Sequence, residues 1–142
     1  MHFKSLFVAG ALFMVGASAV DCATPEIHCE TSDGSPWYDD AVQATEYWKE
    51  IQDAGKDSCG DAGCAQPHGS GCHSDGGSYG TAEIVLCQDD SSSSTPQCAD
   101  CRCVYSYLKP LLDQCKGANN KIGGYAHVDM GGNYINYEFV KK

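Results

Sequence analysis

Two stretches of the chain repeat their apolar residues at helical spacing. From Trp37 to about Ala54, the residues Trp37, Ala41, Ala44, Trp48 and Ile51 recur at steps of three and four, which lines them up along one stripe of a helix. Asp39, Glu46, Glu50 and Asp53 fall on the outward side, and acids near the start suit the helix dipole. Ser35 and Pro36 supply an N-cap and a first helical position, and Gly55 ends the run. The second stretch lies between Thr95 and Gly117, where Cys101, Val104, Leu108, Leu111, Leu112 and Cys115 share one face. Thr95 or Asp100 can cap its start, with Pro96 at a first position, and Gly117 suits the residue just past its end. Pro110 removes one internal hydrogen bond and predicts a kink. Cys101 and Cys115 lie about four turns apart on the inward face, whereas Cys103, roughly 200° around the axis from Cys101, faces outward.

The remaining apolar runs are short and alternate. Ile27 to Thr31 reads as a first strand, and Tyr79 to Cys87, with Ile84-Val85-Leu86 inside it, as a strand buried on at least one side. Ile122 to Met130 and Tyr134 to Val140 flank Gly131-Gly132-Asn133, a hairpin signal. Within that hairpin Ala126, Val128 and Met130 share one face, as do Ile135, Tyr137 and Phe139. Residues 56–78 interleave six glycines with Cys59, Cys64 and Cys72 and read as a disulfide-clipped surface loop; Gln88 to Ser94 is a polar loop. The order strand, helix, strand, helix, strand, strand predicts an α+β sandwich: an antiparallel sheet with two helices on one face.

The ends and the cysteines set the context. Residues 1–19 have the form of a signal peptide, with Lys4, an apolar run from Leu6 to Val15 and Ala17-Ser18-Ala19 as the cleavage site. Residues 20–142 then form a single disulfide-stabilised domain, expected to be secreted, extracellular (apoplastic if plant-associated) and monomeric, with no membrane span. All ten cysteines (Cys22, Cys29, Cys59, Cys64, Cys72, Cys87, Cys98, Cys101, Cys103 and Cys115) lie after the leader, so five bridges are expected, their pairing left open. Loss of Lys4 with the leader takes the formal charge from −10 to −11. That acidity argues against nucleic acid or an anionic lipid surface as the partner.

Several constellations could carry chemistry, and each has a plainer reading. Cys64, His68, Cys72 and His73 have a spacing that could hold zinc, but in an oxidising compartment such cysteines form bridges. Cys98-Ala-Asp-Cys101 has the C-x-x-C form of a redox motif, here without the strand-to-helix setting that makes one active. Ser70, Ser74 and Ser78 lie near His68 and His73 in sequence, in a loop with no nucleophile elbow. A secreted hydrolase or nuclease would need histidine, glutamate and a cation on one sheet face, and His127, Glu138 and Arg102 form the candidate trio. Tyr105, Tyr107, Tyr125, Tyr134 and Tyr137 concentrate near the second helix and the last hairpin, where those outside the core could form a binding face. The reading taken is a non-enzymatic binder with no catalytic residue, no metal and no cofactor.

The C-terminal half carries a resemblance. Cys98-x-x-Cys-x-Cys-Val-x-x-Tyr-Leu-x-x-Leu-Leu-x-x-Cys115, then a glycine-bearing turn and Tyr134-Ile-Asn-Tyr-Glu-Phe-Val140, resembles the smut-fungus killer toxins of the KP-four type, and Ile27-His-Cys29 resembles that family's first strand. The Ecp-two type of necrosis-inducing fungal effectors, with a similar sandwich, is the close alternative. The resemblance implies a secreted cysteine-rich toxin or effector that binds a host or competitor cell-surface or extracellular protein. Calcium-channel blockade is what the founding type does. This chain differs from the pattern in three ways: no second cysteine follows Cys115 before the turn, none follows the last strand, and the net charge is acidic. Fold and effector role are therefore carried over, and the channel target is not. An inhibitor or ligand-sequestering protein would use the same scaffold.

Overall fold

The computed structural model describes residues 20–65, 72–74, 76–88 and 96–142. The leader, His68 and Ser70, and Thr95 as a cap lie outside them. In chain order the elements are β1 (Glu26–Cys29), α1 (Tyr38–Asp53), a 3₁₀ turn (Gly60–Gly63), β2 (Cys64–Ala65), β3 (Ser78–Tyr79), β4 (Ala82–Gln88), β5 (Gln97–Cys98), α2 (Cys101–Gln114), β6 (Gly124–Asp129) and β7 (Tyr134–Lys141). β1, β6, β7, β4 and β3 form one antiparallel sheet in that order, and β2 pairs with β5 separately. The two helices pack on each other and on one face of the sheet, α1 over β4 and β3, α2 over β6 and β1. The disulfide-rich α+β architecture is as predicted.

The predicted stripes form the core. Ala41, Ala44, Trp48 and Ile51 of α1 meet Val104, Leu108, Leu111 and Leu112 of α2, above Ile84, Leu86, Ala126, Val128, Ile135, Tyr137 and Phe139. Leu108 and Leu111 are fully buried, a gain of about 1.5–3 kcal/mol each. Trp48 buries its ring and donates its indole N–H to the carbonyl of Gly76, so the one polar atom of the ring is satisfied. Gly124 permits the close approach of β1 and β6. Its φ is +127°, and a Cβ there would sit 2.0 Å from the carbonyl oxygen of His28.

Several local expectations are corrected. α1 starts at Tyr38 rather than Pro36, and its N-cap is Trp37, which makes no side-chain cap bond. The Ser35 hydroxyl instead accepts from the N–H of Ser32, within the turn before the helix. Trp37 is 45% exposed rather than part of the buried stripe, because it precedes the helix and carries Lys121 over its ring. α2 starts at Cys101: of the two candidate caps Asp100 serves, accepting from the N–H of Arg102. Pro96 therefore lies before the helix, because Gln97 and Cys98 are drawn into pairing with β2. At its far end the helix stops at Gln114, with Cys115 as C-cap rather than a left-handed Gly117, and the Thr31 hydroxyl donates to the Cys115 carbonyl at 2.6 Å. The left-handed residue of that link is Asn120, at φ 57°. The strand expected over 79–87 is split by the Gly80-Thr81 turn into β3 and β4.

All ten cysteines are paired: Cys22–Cys103, Cys29–Cys115, Cys59–Cys101, Cys64–Cys98 and Cys72–Cys87. Three bridges converge on α2 and its C-cap. Cys103 is 2% exposed, not outward-facing as predicted, because the segment holding Val20 and Cys22 packs over that side of the helix. No helix among the described residues is long and apolar enough to cross a membrane.

Candidate functional site

With the helices on one face of the sheet, the other face presents the alternate residues of its strands. Register fixes which of them meet. His28 sits opposite Tyr125, which is opposite Glu138, which is opposite Val85; Glu26, His127, Asn136 and Cys87 form the next row, and Asp129 pairs with Tyr134. The rings form a continuous ladder across β1, β6 and β7. His28 stacks on Tyr125 at 4.6 Å and 17°, His127 stacks on Tyr134 at 4.6 Å and 14°, and the two imidazoles meet edge-on at 6.5 Å. Tyr134 is 37% exposed, and His28, Tyr125 and His127 are half-buried.

Polar partners orient the two histidines differently. His127 Nδ1 and Asn136 Oδ1 share a hydrogen bond at 2.6 Å, which orients the ring. His28 Nε2 lies 3.1 Å from Glu26 Oε1. Glu138, half-buried in the central row, has its carboxyl held above the usual carboxylate range by burial and secondarily by Glu30. The outward positions of the three strands thus combine four rings, an amide and several acids. Among the described residues Lys142 is the one cation at that parity, and it bonds Ser78 at the β3 corner.

The sequence candidates separate cleanly. His127 and Glu138 do share this face, on diagonal positions of the hairpin. Arg102 does not join them: it sits on α2, where its guanidinium grips Asp100 and holds that carboxyl below its usual range. Cys64 and Cys72 are both consumed in bridges, so neither is a thiolate for zinc beside His73. Cys98 and Cys101 are not bonded to each other; each goes to a different partner, which makes the C-x-x-C architectural. Ser74 is exposed, and Ser78 lies in β3. Of the five tyrosines, Tyr107 and Tyr137 belong to the core and Tyr105 packs against it, leaving Tyr125 and Tyr134 for the face.

Sequence reasoning missed His28, Glu26 and Asn136. The alternation of Glu26 with His28 and of Tyr125 with His127 was visible, but the pairing of β1 with β6 was not. It also missed the other exposed rings, Trp37, Tyr47 and Tyr79. Near Trp37, Lys121 lies 3.5 Å from the ring centroid, and Lys116 lies 4.3 Å from that of Tyr38. A shallow depression of about 470 Å³ lies elsewhere, between Thr31–Asp33 and Gly117–Asn119. No protein-family model matches the chain, and no curated protein or solved structure matches it.

Proposed function

We propose that the chain is a secreted binding protein, of the killer-toxin or necrosis-inducing effector kind, which engages a host or competitor cell component through the outer face of β1, β6 and β7. One observation carries this reading: four aromatic rings form a ladder outside the core, on a scaffold whose stability rests on the opposite layer. Tyrosine rings held by a rigid backbone give contact area at little entropic cost, which suits recognition. Five bridges suit a protein that works outside the cell, where thiols stay oxidised. The reading is binding without turnover, and it is supported by the placement of Arg102, the cation of the candidate nuclease trio, which pairs with Asp100 on the helical layer.

The test applies pure oxidised protein in parallel to fungal cultures and to plant leaves, beside a Tyr125→Ala/Tyr134→Ala variant. Growth arrest of the cultures identifies a killer toxin, and leaf necrosis or a host-specific response an effector. In either setting the variant is expected to lose most of the response while keeping its thermal transition. Equal potency of the two proteins overturns the assignment of the face. A second reading, a small hydrolase, is favoured by the shared face of His127 and Glu138. It requires that His127→Ala abolish a measurable turnover.

A further inference from the structure

We infer that the ligand of the outer sheet face is cationic: an extended, arginine- or lysine-bearing segment of a partner protein lying across β1, β6 and β7. This deepens the binding reading above and rests on it. The first argument is charge. Glu26, Glu30, Asp129 and Glu138 surround the ladder, Glu83 lies beyond them on β4, and the single cation at that parity among the described residues is held at the far corner by Ser78. A neutral or anionic partner would have to desolvate these carboxylates without compensation, whereas a guanidinium or ammonium group pairs with them.

The second argument is internal to the molecule. Two exposed or half-exposed rings elsewhere on the chain carry its own lysines, Lys121 on Trp37 and Lys116 on Tyr38, although among the described residues Tyr47 and Tyr79 do not. No cation of the chain covers Tyr125 or Tyr134 among the described residues, although acids lie beside both. Ring and carboxylate together make a strong cation seat, since the ring quadrupole and the anion attract the same charge. The third argument is shape. The rings stand in a row over three strands, about 10–15 Å across, which suits an extended segment laid over them.

A consequence follows for pH. Glu138 is faced by Tyr125 on β6 and by Val85 on β4, with Glu30 near it. Burial favours its neutral form, so as pH falls it is disposed to lose the negative charge that would pair with a cationic guest. Acidification therefore weakens binding.

The experiment titrates isotope-labelled oxidised protein with three peptides of about eight residues, roughly 27 Å when extended. One alternates arginine with serine, and the other two carry glutamine or glutamate in place of arginine. The expected result is that amide shifts cluster on β1, β6 and β7 with the arginine peptide only. Affinity should fall about tenfold in Glu26→Gln/Glu30→Gln/Glu138→Gln, the order expected for two exposed charge contacts and one half-buried one. It should also be lower at about pH 5 than at about pH 7.5, because burial favours the neutral form of Glu138. The Tyr134→Ala variant, which leaves every charge in place, should weaken binding at both pH values. Absence of shifts, equal binding of the glutamate peptide, or shifts confined to the Trp37–Lys121 side overturns the cationic assignment. That failure is distinct from failure of the face itself. If the Tyr125→Ala/Tyr134→Ala variant loses its action on cultures or leaves while the arginine peptide does not bind, the face stands and its ligand is not a cation.

Discussion

Opening the Cys22–Cys103 bridge by replacing both residues with alanine tests how the disulfide network stabilises the fold. The two cysteines are 81 residues apart, and treated alone a loop of that length would stabilise by about 4.5 kcal/mol through the entropy of the unfolded chain. The bridge is not alone. With Cys29–Cys115 intact, the unfolded chain already connects the two positions by running from Cys22 to Cys29, across that bridge, and back from Cys115 to Cys103. This path is only about 20 residues long, for which the same relation gives about 3 kcal/mol. The Cys72–Cys87 bridge closes 15 residues and is bypassed by no shorter route, so its removal should also cost about 3 kcal/mol. Guanidinium unfolding of the two double-alanine variants and the parent, all otherwise oxidised, measures both. Nearly equal losses are expected despite the fivefold difference in separation. A Cys22/Cys103 loss exceeding the Cys72/Cys87 loss by well over about 1 kcal/mol would refute the network argument, since isolated loops differ by about that much or more.

Three further outcomes are expected. Tyr137 is fully buried, and its hydroxyl has no hydrogen-bond partner among the described residues, so Tyr137→Phe should leave stability at neutral pH unchanged or higher. Burial also pushes that phenol's ionisation upward. The unfolded chain then releases its proton first as pH rises past about 10, and stability falls there. Tyr137→Phe should flatten that alkaline loss in denaturant titrations, and a loss above about 1 kcal/mol at neutral pH would mean the hydroxyl is bonded. Gly124→Ala should cost on the order of 3–5 kcal/mol, because its Cβ collides with the backbone of His28; an ordinary unfolding midpoint for the variant would contradict the tight β1–β6 approach. The Asp40 carboxylate accepts from the N–H and the hydroxyl of Thr81 at 2.8 and 2.7 Å, and these bonds lower its pKa. Its contribution is therefore present above about pH 4 and lost as pH falls through the lowered value, and Asp40→Asn should show a shallower acid transition by circular dichroism.

The helical stripes were legible because each is a local pattern: steps of three and four along one segment define a face whatever covers it. What covers a face is not local, and the misreadings follow from that. Cys103 lies off the stripe that meets α1 and the sheet, so periodicity assigned it outward, yet the segment around Cys22 buries it from the other side. Pro96 looked like a helix start until Cys98 was pulled toward Cys64 by a bridge that no spacing announces. The same distinction governs the site. The turn Gly131-Gly132 fixes the register of β6 on β7, so the common face of His127 and Glu138 could be read from sequence. His28 could not be added, because β1 reaches β6 across nearly the whole domain.

The outer ladder makes stability and recognition separable in this chain. Cross-strand ring pairs contribute roughly 0.2–1 kcal/mol each, so the stacks of His28 on Tyr125 and His127 on Tyr134 are small beside the core under α1 and α2 or the bridges on α2. Glu138 stands half-buried among them, its charge disfavoured by burial and by Glu30, which is a cost to the isolated fold. A sheet face gains nothing in stability from holding an acid against its own desolvation. The cationic partner proposed above would offset that cost by pairing with Glu138. Altering the rings or this carboxylate should change what the protein binds long before it changes whether the protein folds.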